Sequence, residues 1–456
     1  MAALTFLLTG CAHQSAITID KDNLAVPKVW SQADMIALSP ENKNWLNAIV
    51  NEPVKLAIEQ ALEHNHGLQQ QQLSLLALEQ SAIASGASLW PSLNLSFSNS
   101  RREQVTGLST SHELSLSLNF ELDLWGKLSA NDHQVNMQLA SQKAQYEQYK
   151  QDLIADVILT WFSLVEASQQ LALSEKRFNN TQQNLAIIES GYESGLNSAL
   201  DVYLSRSEVA TEQSRVANQK TNYESVIRKL ELLLGEHPAG KLVIEKNIIP
   251  AVEGNLNPGV PSEVVANKPS LSATWLSLLA KDAGLAYAHK QRFPSISLTA
   301  GLGTSSSELG DLLTVDPNWS LVGNITQPLF NAGRLKANEE KARYETKQAE
   351  QAYLAAVKNA FADVENALVK EQNLRVSYSA YQTAAENAGL AQQLSFEQYL
   401  KGLVSYTTVL DSQTRAFNAD SSLIQAKYQL LENRLQLHLA LGGNFNSIIS
   451  NGSIGL

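Results

Sequence analysis

The sequence predicts a mainly α protein with a small β part, built as a duplicated unit in which a strand hairpin is followed by long coiled-coil helices. Three observations predict it. The chain repeats itself at an offset of 207 residues, four short segments alternate apolar and polar side chains, and two long stretches contain no proline.

The repeat comes first because it sets the frame for everything else. Gly126-Lys127-Leu128-Ser129-Ala130-Asn131 matches Gly333-Arg334-Leu335-Lys336-Ala337-Asn338. Ala155-Asp156-Val157 matches Ala362-Asp363-Val364 at the same offset, as do Leu234-Gly235 and Leu441-Gly442. Residues 192–235 and 399–442 align without gaps, with 12 identities in 44 positions. The offset holds over 110 residues, so the elements between these landmarks have equal lengths in both copies. Loops tolerate insertions, whereas long helices packed side by side do not. The copies are bounded at roughly 54–240 and 262–443, with 241–261 connecting them, 12–53 as an N-terminal linker and 444–456 as a tail.

Each copy begins with alternation. Leu114, Leu116, Leu118, Phe120, Leu122 and Leu124 interleave with Ser115, Ser117, Asn119, Glu121 and Asp123, the pattern of a strand with one apolar and one wet face. Strands are expected at about 91–98 and 112–124, and again at about 294–303 and 318–326. Such lengths, with alternating faces and polar turns, suit a membrane barrel. Four strands cannot close one, and open edges do not survive in lipid. Oligomerisation is therefore required. Eight strands from two copies and twelve from three remain open on this argument.

The helices follow. Gly126 to Gly195 spans 69 residues without proline, and Gly333 to Gly402 repeats it. One continuous helix of that length is ~100 Å long. In the returning segments Val216, Tyr223 and Leu230, and likewise Leu423, Leu430 and Leu437, fall seven apart, with Ile227 and Leu234 at the half-heptad step. This spacing indicates coiled-coil packing. Gly195 and Gly402 mark the reversals, where a left-handed residue ends one helix.

Composition narrows the function. Net charge is −11, which argues against a nucleic-acid partner. No apolar run reaches the ~20 residues a spanning helix needs. No phosphate-cradling loop, nucleophile elbow or zinc-type spacing points to an enzyme, a metal site or a cofactor. His64 and His66, two apart at a helix end, are read as a polar helix terminus rather than a metal site. The single cysteine, Cys11, follows Leu8-Thr9-Gly10 after an apolar start. This resembles a bacterial lipobox, in which residues 1–11 end at the Cys that becomes acylated. Each buried acyl CH₂ contributes ~0.8 kcal/mol of membrane affinity. No Lys or Arg precedes Cys11, so either the true start is expected to lie upstream or the signal to be truncated.

Taken together, several motifs resemble the TolC-like outer-membrane factors, in their lipoprotein branch serving multidrug and metal efflux. They are Phe120-Glu121-Leu122-Asp123-Leu124-Trp125-Gly126-Lys127, Gly191-Tyr192-x-x-Gly195-Leu196-x-Ser198, Tyr399-x-x-Gly402-Leu403-Val404-Ser405 and Val409-Leu410-Asp411-Ser412-Gln413. Pro91-Ser92-Leu93, Pro294-Ser295-Ile296 and Leu439-Ala440-Leu441-Gly442-Gly443 agree, and the match covers about residues 45–445. The resemblance implies a homotrimer with a twelve-stranded β-barrel in the outer membrane and a twelve-helix periplasmic tube of near-sixfold symmetry. It makes 241–261 the equatorial connection. It also implies a periplasmic adaptor (membrane fusion) protein and an inner-membrane pump as partners. The exit duct of a type I protein secretion system is the alternative it leaves open.

The resemblance also assigns residues. Gly195, Leu196, Ser198, Gly402, Leu403 and Ser405 match the tip that meets the adaptor. Asp411 matches a constriction position, a solvated carboxylate at a helix start being the plainer reading. Thr408 stands where the family has a second aspartate. Asp201 is expected to replace that charge in part, with Arg206 and Arg415 as candidates for holding the closed state. Three copies of Asp411 on an axis would repel one another. Lys268-Pro269-Ser270 replaces the family's usual Arg-Pro-Asp.

Overall fold

A computed structural model describes residues 15–19, 26–31, 46, 49–105, 107–244, 248–251 and 259–445. The first half runs α1 (Glu52–His64), α2 (His66–Ala87), β1 (Ser92–Gln104), β2 (Gly107–Leu122), α3 (Lys127–Glu193) and α4 (Ala199–Leu233). The second half runs α5 (Pro261–Asn267), α6 (Pro269–Lys290), β3 (Ser295–Ser306), β4 (Asn318–Thr326), α7 (Arg334–Leu400) and α8 (Tyr406–Ala440). Both long helices have 67 residues and both returning helices have 35. The long and returning helices of the second half start and end 207 residues after their counterparts in the first, so α3 maps onto α7 and α4 onto α8.

The four strands form one antiparallel sheet in the order β1-β2-β3-β4. β1 and β2 are longer than alternation indicates, at 13 and 16 residues. Pairing continues past Ser98↔Glu113 to Gln104↔Gly107. The extra residues, among them Asn99, Arg101, Glu103, Ser109 and Thr110, are chiefly polar on both faces. Period-two alternation cannot report a ladder that is wet on both sides.

The chain divides into two compact units. The first comprises residues 1–25, 72–145 and 270–357 and contains the sheet. Below the sheet, Trp125 stacks on Phe293 with centroids 5.7 Å apart, and its indole N–H donates to the Pro294 carbonyl at 2.7 Å. An extended N-terminal segment is held by helix carboxylates. Asp282 accepts from the Ser15 hydroxyl and the Ala16 N–H at 2.9 and 3.1 Å, and Glu350 accepts from the Thr18 hydroxyl, the Thr18 N–H and the Ile19 N–H at 2.6, 2.7 and 2.8 Å. Burial alone would raise the Glu350 pKa, but these donated bonds lower it.

The second unit comprises residues 26–71, 146–269 and 358–456. Its core is the packed seam of the four long helices, with Ile154, Val157, Ile158 and Leu164 on α3 and Ile227 and Leu230 on α4. Val364 and Leu368 on α7 and Leu430, Leu431 and Leu437 on α8 continue it. Of the heptad residues, Ile227, Leu230, Leu234, Leu430 and Leu437 are buried, while Val216, Tyr223 and Leu423 are half-buried. Ser31 docks here, its N–H and hydroxyl both donating to Glu365 at 2.7 Å, beside Trp30 packed edge-on against Phe361.

One buried ion pair interrupts this seam. Arg434 is 1% exposed and forms a close contact with Glu371, which also accepts from Asn433 at 3.1 Å. Burial pulls the Arg434 pKa down against the pull of Glu371. The residues 207 positions earlier are Leu164 and Ile227, both buried and apolar. Removing one partner of a buried pair costs about 3–5 kcal/mol, whereas replacing both by apolar residues is often neutral or better. Glu371→Leu alone is thus expected to lower stability by about that amount, and Glu371→Leu with Arg434→Ile to recover most of it. Denaturant unfolding of the two variants followed by circular dichroism checks both signs.

Candidate functional site

Two regions carry the candidate function, the face of the sheet and the helix reversals. Backbone pairing aligns side chains into rows across the sheet. On one face lie the rows Leu93–Leu118–Ala300–Leu321 and Leu95–Leu116–Leu302–Trp319, followed by Leu122–Ile296–Ile325. On the other lie Asn94–Ser117–Gly301–Ser320 and Ser96–Ser115–Gly303–Asn318. From Leu114 to Leu122 the apolar rows cover ~27 Å along the strand at ~3.4 Å per residue. Trp319 is 78% exposed and Leu95 71% exposed. One face therefore suits hydrocarbon and the other suits water. Among the described residues β1 and β4 each present an unpaired edge.

At the reversals the chain turns by a repeated device. Gly195 and Gly402 both have φ +72°. The Gly195 N–H donates to the Tyr192 carbonyl at 2.9 Å and the Leu196 N–H to the Gly191 carbonyl at 2.8 Å. Gly402 and Leu403 repeat this on Tyr399 and Gln398 at 2.8 and 3.0 Å. This Schellman arrangement satisfies the last carbonyls of each long helix and needs a left-handed residue, which glycine adopts without a steric penalty. Leu196 and Leu403, next in sequence, are 83% and 70% exposed. Behind them Ile188, Val202, Tyr406 and Val409 form a small buried cluster, with Tyr399 and Phe396 against it.

The two returning helices start differently. The Ser198 hydroxyl accepts from the Asp201 N–H at 3.2 Å, while the Asp201 carboxylate accepts from the Ser198 N–H at 3.2 Å, a capping box. In the second copy the corresponding pair is Ser405 and Thr408, and Ser405 makes no side-chain cap bond. Thr408 instead lies 3.1 Å from the Ser405 hydroxyl. Asp201 is thus occupied as a helix cap. Its charge also adds to burial in raising the phenol pKa values of Tyr399 and Tyr406.

The remaining gate candidates are paired locally. Arg415 donates to Asp411 one turn before it on the exposed surface of α8, at 2.9 Å, which raises the Arg415 pKa. Arg206 reaches from α4 to Glu189 on α3 at 2.7 Å. Within one chain, then, Asp411 and Arg415 come together, while Arg206 joins neither Asp411 nor Asp201. Deeper in the helices lies a cluster without a sequence motif to mark it. Arg177, 4% exposed, meets Glu208 and Glu212, each at 2.9 Å, and lies over the Phe417 ring at 5.1 Å. Burial pushes the Glu212 carboxyl up despite Arg177 and Arg215.

Cys11 lies outside the described residues. His64 ends α1, 3.9 Å from Glu63, and His66 begins α2. Among the described residues no group of three His, Cys, Asp or Glu is placed to hold a metal ion. Lys268 ends α5 with its Nζ 4.0 Å from Asp363, and burial lowers its pKa.

The asymmetry in capping has a measurable consequence. A missing or restored side-chain cap changes helix-end stability by about 1 kcal/mol. Thr408→Asp is expected to slow amide exchange in the first turn of α8. Asp201→Ala is expected to speed it in the first turn of α4, both read by hydrogen-exchange mass spectrometry.

Known proteins share this architecture. The family model described as outer membrane efflux protein matches residues 57–236 and 260–443. The cation efflux system protein CusC of Escherichia coli O6:H1 is 30% identical over 451 residues, covering 96% of each chain. The outer membrane protein OprJ of Pseudomonas aeruginosa is 28% identical, covering 98% of this chain and 96% of its own. Among solved structures, a membrane protein from Pseudomonas aeruginosa superposes with a TM-score of 0.85 at 25% identity, covering 94% of this chain and all of the other. A crystal structure of CusC gives 0.80 at 26% identity, covering 94% and 99%. With both repeats matched and the sheet, long helices and reversals in place, the chain belongs to the outer membrane efflux protein family.

Proposed function

We propose that this protein is the outer-membrane exit duct of a tripartite efflux system and conducts small molecules, whether drugs, toxic compounds or metal ions, passively from periplasm to exterior. Three copies assemble, their sheets closing a twelve-stranded barrel and their long helices a twelve-helix tube. A periplasmic adaptor docks on the reversals at Gly195, Leu196, Ser198, Gly402, Leu403 and Ser405, and an inner-membrane pump supplies the energy. Acylation of Cys11 anchors the mature N-terminus in the membrane.

The observation that carries this reading is the sheet. It has one face fit for lipid, one face chiefly of Ser, Thr, Asn and Gly, with Glu113 and Glu121, fit for water, and two edges without partners among the described residues. An open edge in hydrocarbon leaves backbone groups unsatisfied at several kcal/mol each. Joining β1 of one copy to β4 of the next removes both edges and encloses the polar face. Leu196 and Leu403, large apolar side chains left exposed at both reversals, support docking there.

Single-particle imaging of the detergent-purified full chain is expected to show a threefold particle with a short barrel and a tube ~100 Å long. A monomer without a lumen would overturn the duct. Asp411 adds a prediction about conduction. Its carboxylate is 64% exposed, and three copies near an axis would attract cations and resist anions. Asp411→Ala is expected to raise single-channel conductance and weaken block by multivalent cations in planar bilayers. Unchanged recordings would assign the carboxylate to its bond with Arg415 alone.

A further inference from the structure

A cleft between α3, α7 and α8 is lined by carboxamides, two of which are buried with a polar atom left unpartnered. Its volume is about 390 Å³, and its lining residues all lie in the second unit. We infer that this cleft binds a neutral sugar, whose hydroxyl groups the carboxamides hold and whose ring face lies on Phe396. The site stands beside the duct reading and does not depend on it.

Asn180, Gln183 and Asn184 line the cleft from α3, Gln392 and Gln393 from α7, and Gln413 from α8. Asn184 is 8% exposed and Gln413 6% exposed. Among the described residues the Asn184 Nδ2 finds no acceptor and the Gln413 Oε1 finds no donor. Buried polar groups left unbonded are destabilising, and native proteins keep few of them. Here a donor and an acceptor line the same cleft, so one ligand group that both accepts and donates satisfies the two together. A hydroxyl does so, and a secondary amide does so as well.

The rest of the lining narrows the class of ligand. Glu397 is the one ionised side chain among the described residues that line the cleft, and Gln393 donates to it at 3.3 Å. An anion would find no lysine or arginine there, and one carboxylate supplies little of the charge by which a divalent cation is held. An amphipathic helix binds through an apolar stripe, whereas Phe396 is the one large apolar side chain in this lining. The walls are helices, whose backbone groups are already bonded, so an extended peptide has no sheet edge to join. A neutral sugar carries hydroxyls around its rim for the carboxamides and Glu397, and a face of C–H groups for the phenyl ring.

Helix packing alone does not call for these residues. Gly389 lines the cleft from the interior of the 67-residue α7, where glycine is less favourable than alanine. A methyl group added there would meet no atom of the described residues within 4 Å, so no close neighbour demands the glycine. What it does is keep the α7 wall of the cleft open. The duplication does not call for the site either. At the equivalent positions, 207 residues away, Ala391 stands for Asn184, Arg206 for Gln413, Glu189 for Phe396 and Gln182 for Gly389.

Saturation-transfer NMR on the detergent-purified full chain tests the site, in lauryldimethylamine oxide because glycoside detergents are themselves sugars. The probes are glucose, N-acetylglucosamine and chitotetraose. Saturation is expected to reach the ring protons of at least one of them. Gln413→Met is expected to weaken that binding roughly tenfold, as the loss of one buried hydrogen bond does. Gly389→Phe, at an exposed position of α7, fills the cleft and is expected to abolish the transfer with circular dichroism and native mass unchanged, so the site stays testable if Gln413→Met fails to fold. Transfer confined to chitotetraose would identify a glycan chain as the ligand, and equal transfer to the monosaccharides a free sugar. No transfer to any of the three, or transfer undiminished by Gly389→Phe, would overturn the site and leave the duct reading as it stands.

Discussion

A sheet of four strands in a membrane is incomplete, and the rest of this molecule is arranged around that fact. Each edge exposes a row of N–H and C=O groups that neither lipid nor a strand among the described residues satisfies. Closing the sheet needs other copies, and other copies need helices that meet at the same level all the way around. This accounts for the strictness of the duplication. Helices of 67 and 35 residues recur with bounds displaced by one constant offset, and both reversals use a glycine at the same φ. A single inserted residue would rotate a helix by ~100° and take its buried stripe off the seam.

Within that shared geometry the two copies have diverged where geometry does not forbid it. The first keeps Leu164 and Ile227 buried and apolar, and the second places Glu371 and Arg434 there. Conversely, the first buries Arg177 against Glu212, while the equivalent positions hold Ala384 and Ala419. Each copy thus has one buried ion pair at a different height. Such pairs add little net stability over apolar residues of similar volume, but they penalise any arrangement that separates the partners. Arg177 meets its carboxylates on α4 and its ring on α8, so it penalises sliding of three helices at once.

Much of this was legible in the sequence because it is periodic. The repeat, the alternating strands and the glycine reversals each declare themselves through spacing, and the Asp411–Arg415 pair follows from residues four apart on a helix. What was hidden lacks a period or joins distant positions. The far ends of β1 and β2 are wet on both faces. The N-terminal segment is fixed by Asp282, Glu350 and Glu365, more than 260 residues away, and no local pattern announces such bonds. Asp201 was legible but read for charge. The Ser-x-x-Asp spacing before a helix is a capping signature, and the carboxylate serves the backbone.

The placement of these groups bears on where selectivity resides. Asp201 caps a helix at the first reversal and keeps its charge there, whereas at the second reversal Thr408 carries none and Asp411 is bonded to Arg415. The water-facing rows of the sheet are chiefly serine, threonine, asparagine and glycine, which hydrogen-bond any polar solute without preferring a sign, with Glu113 and Glu121 the acidic exceptions. A passage so lined discriminates weakly by chemistry. On the proposed duct reading, its control lies in whether the helices stand together or apart, and so in the junctions between them.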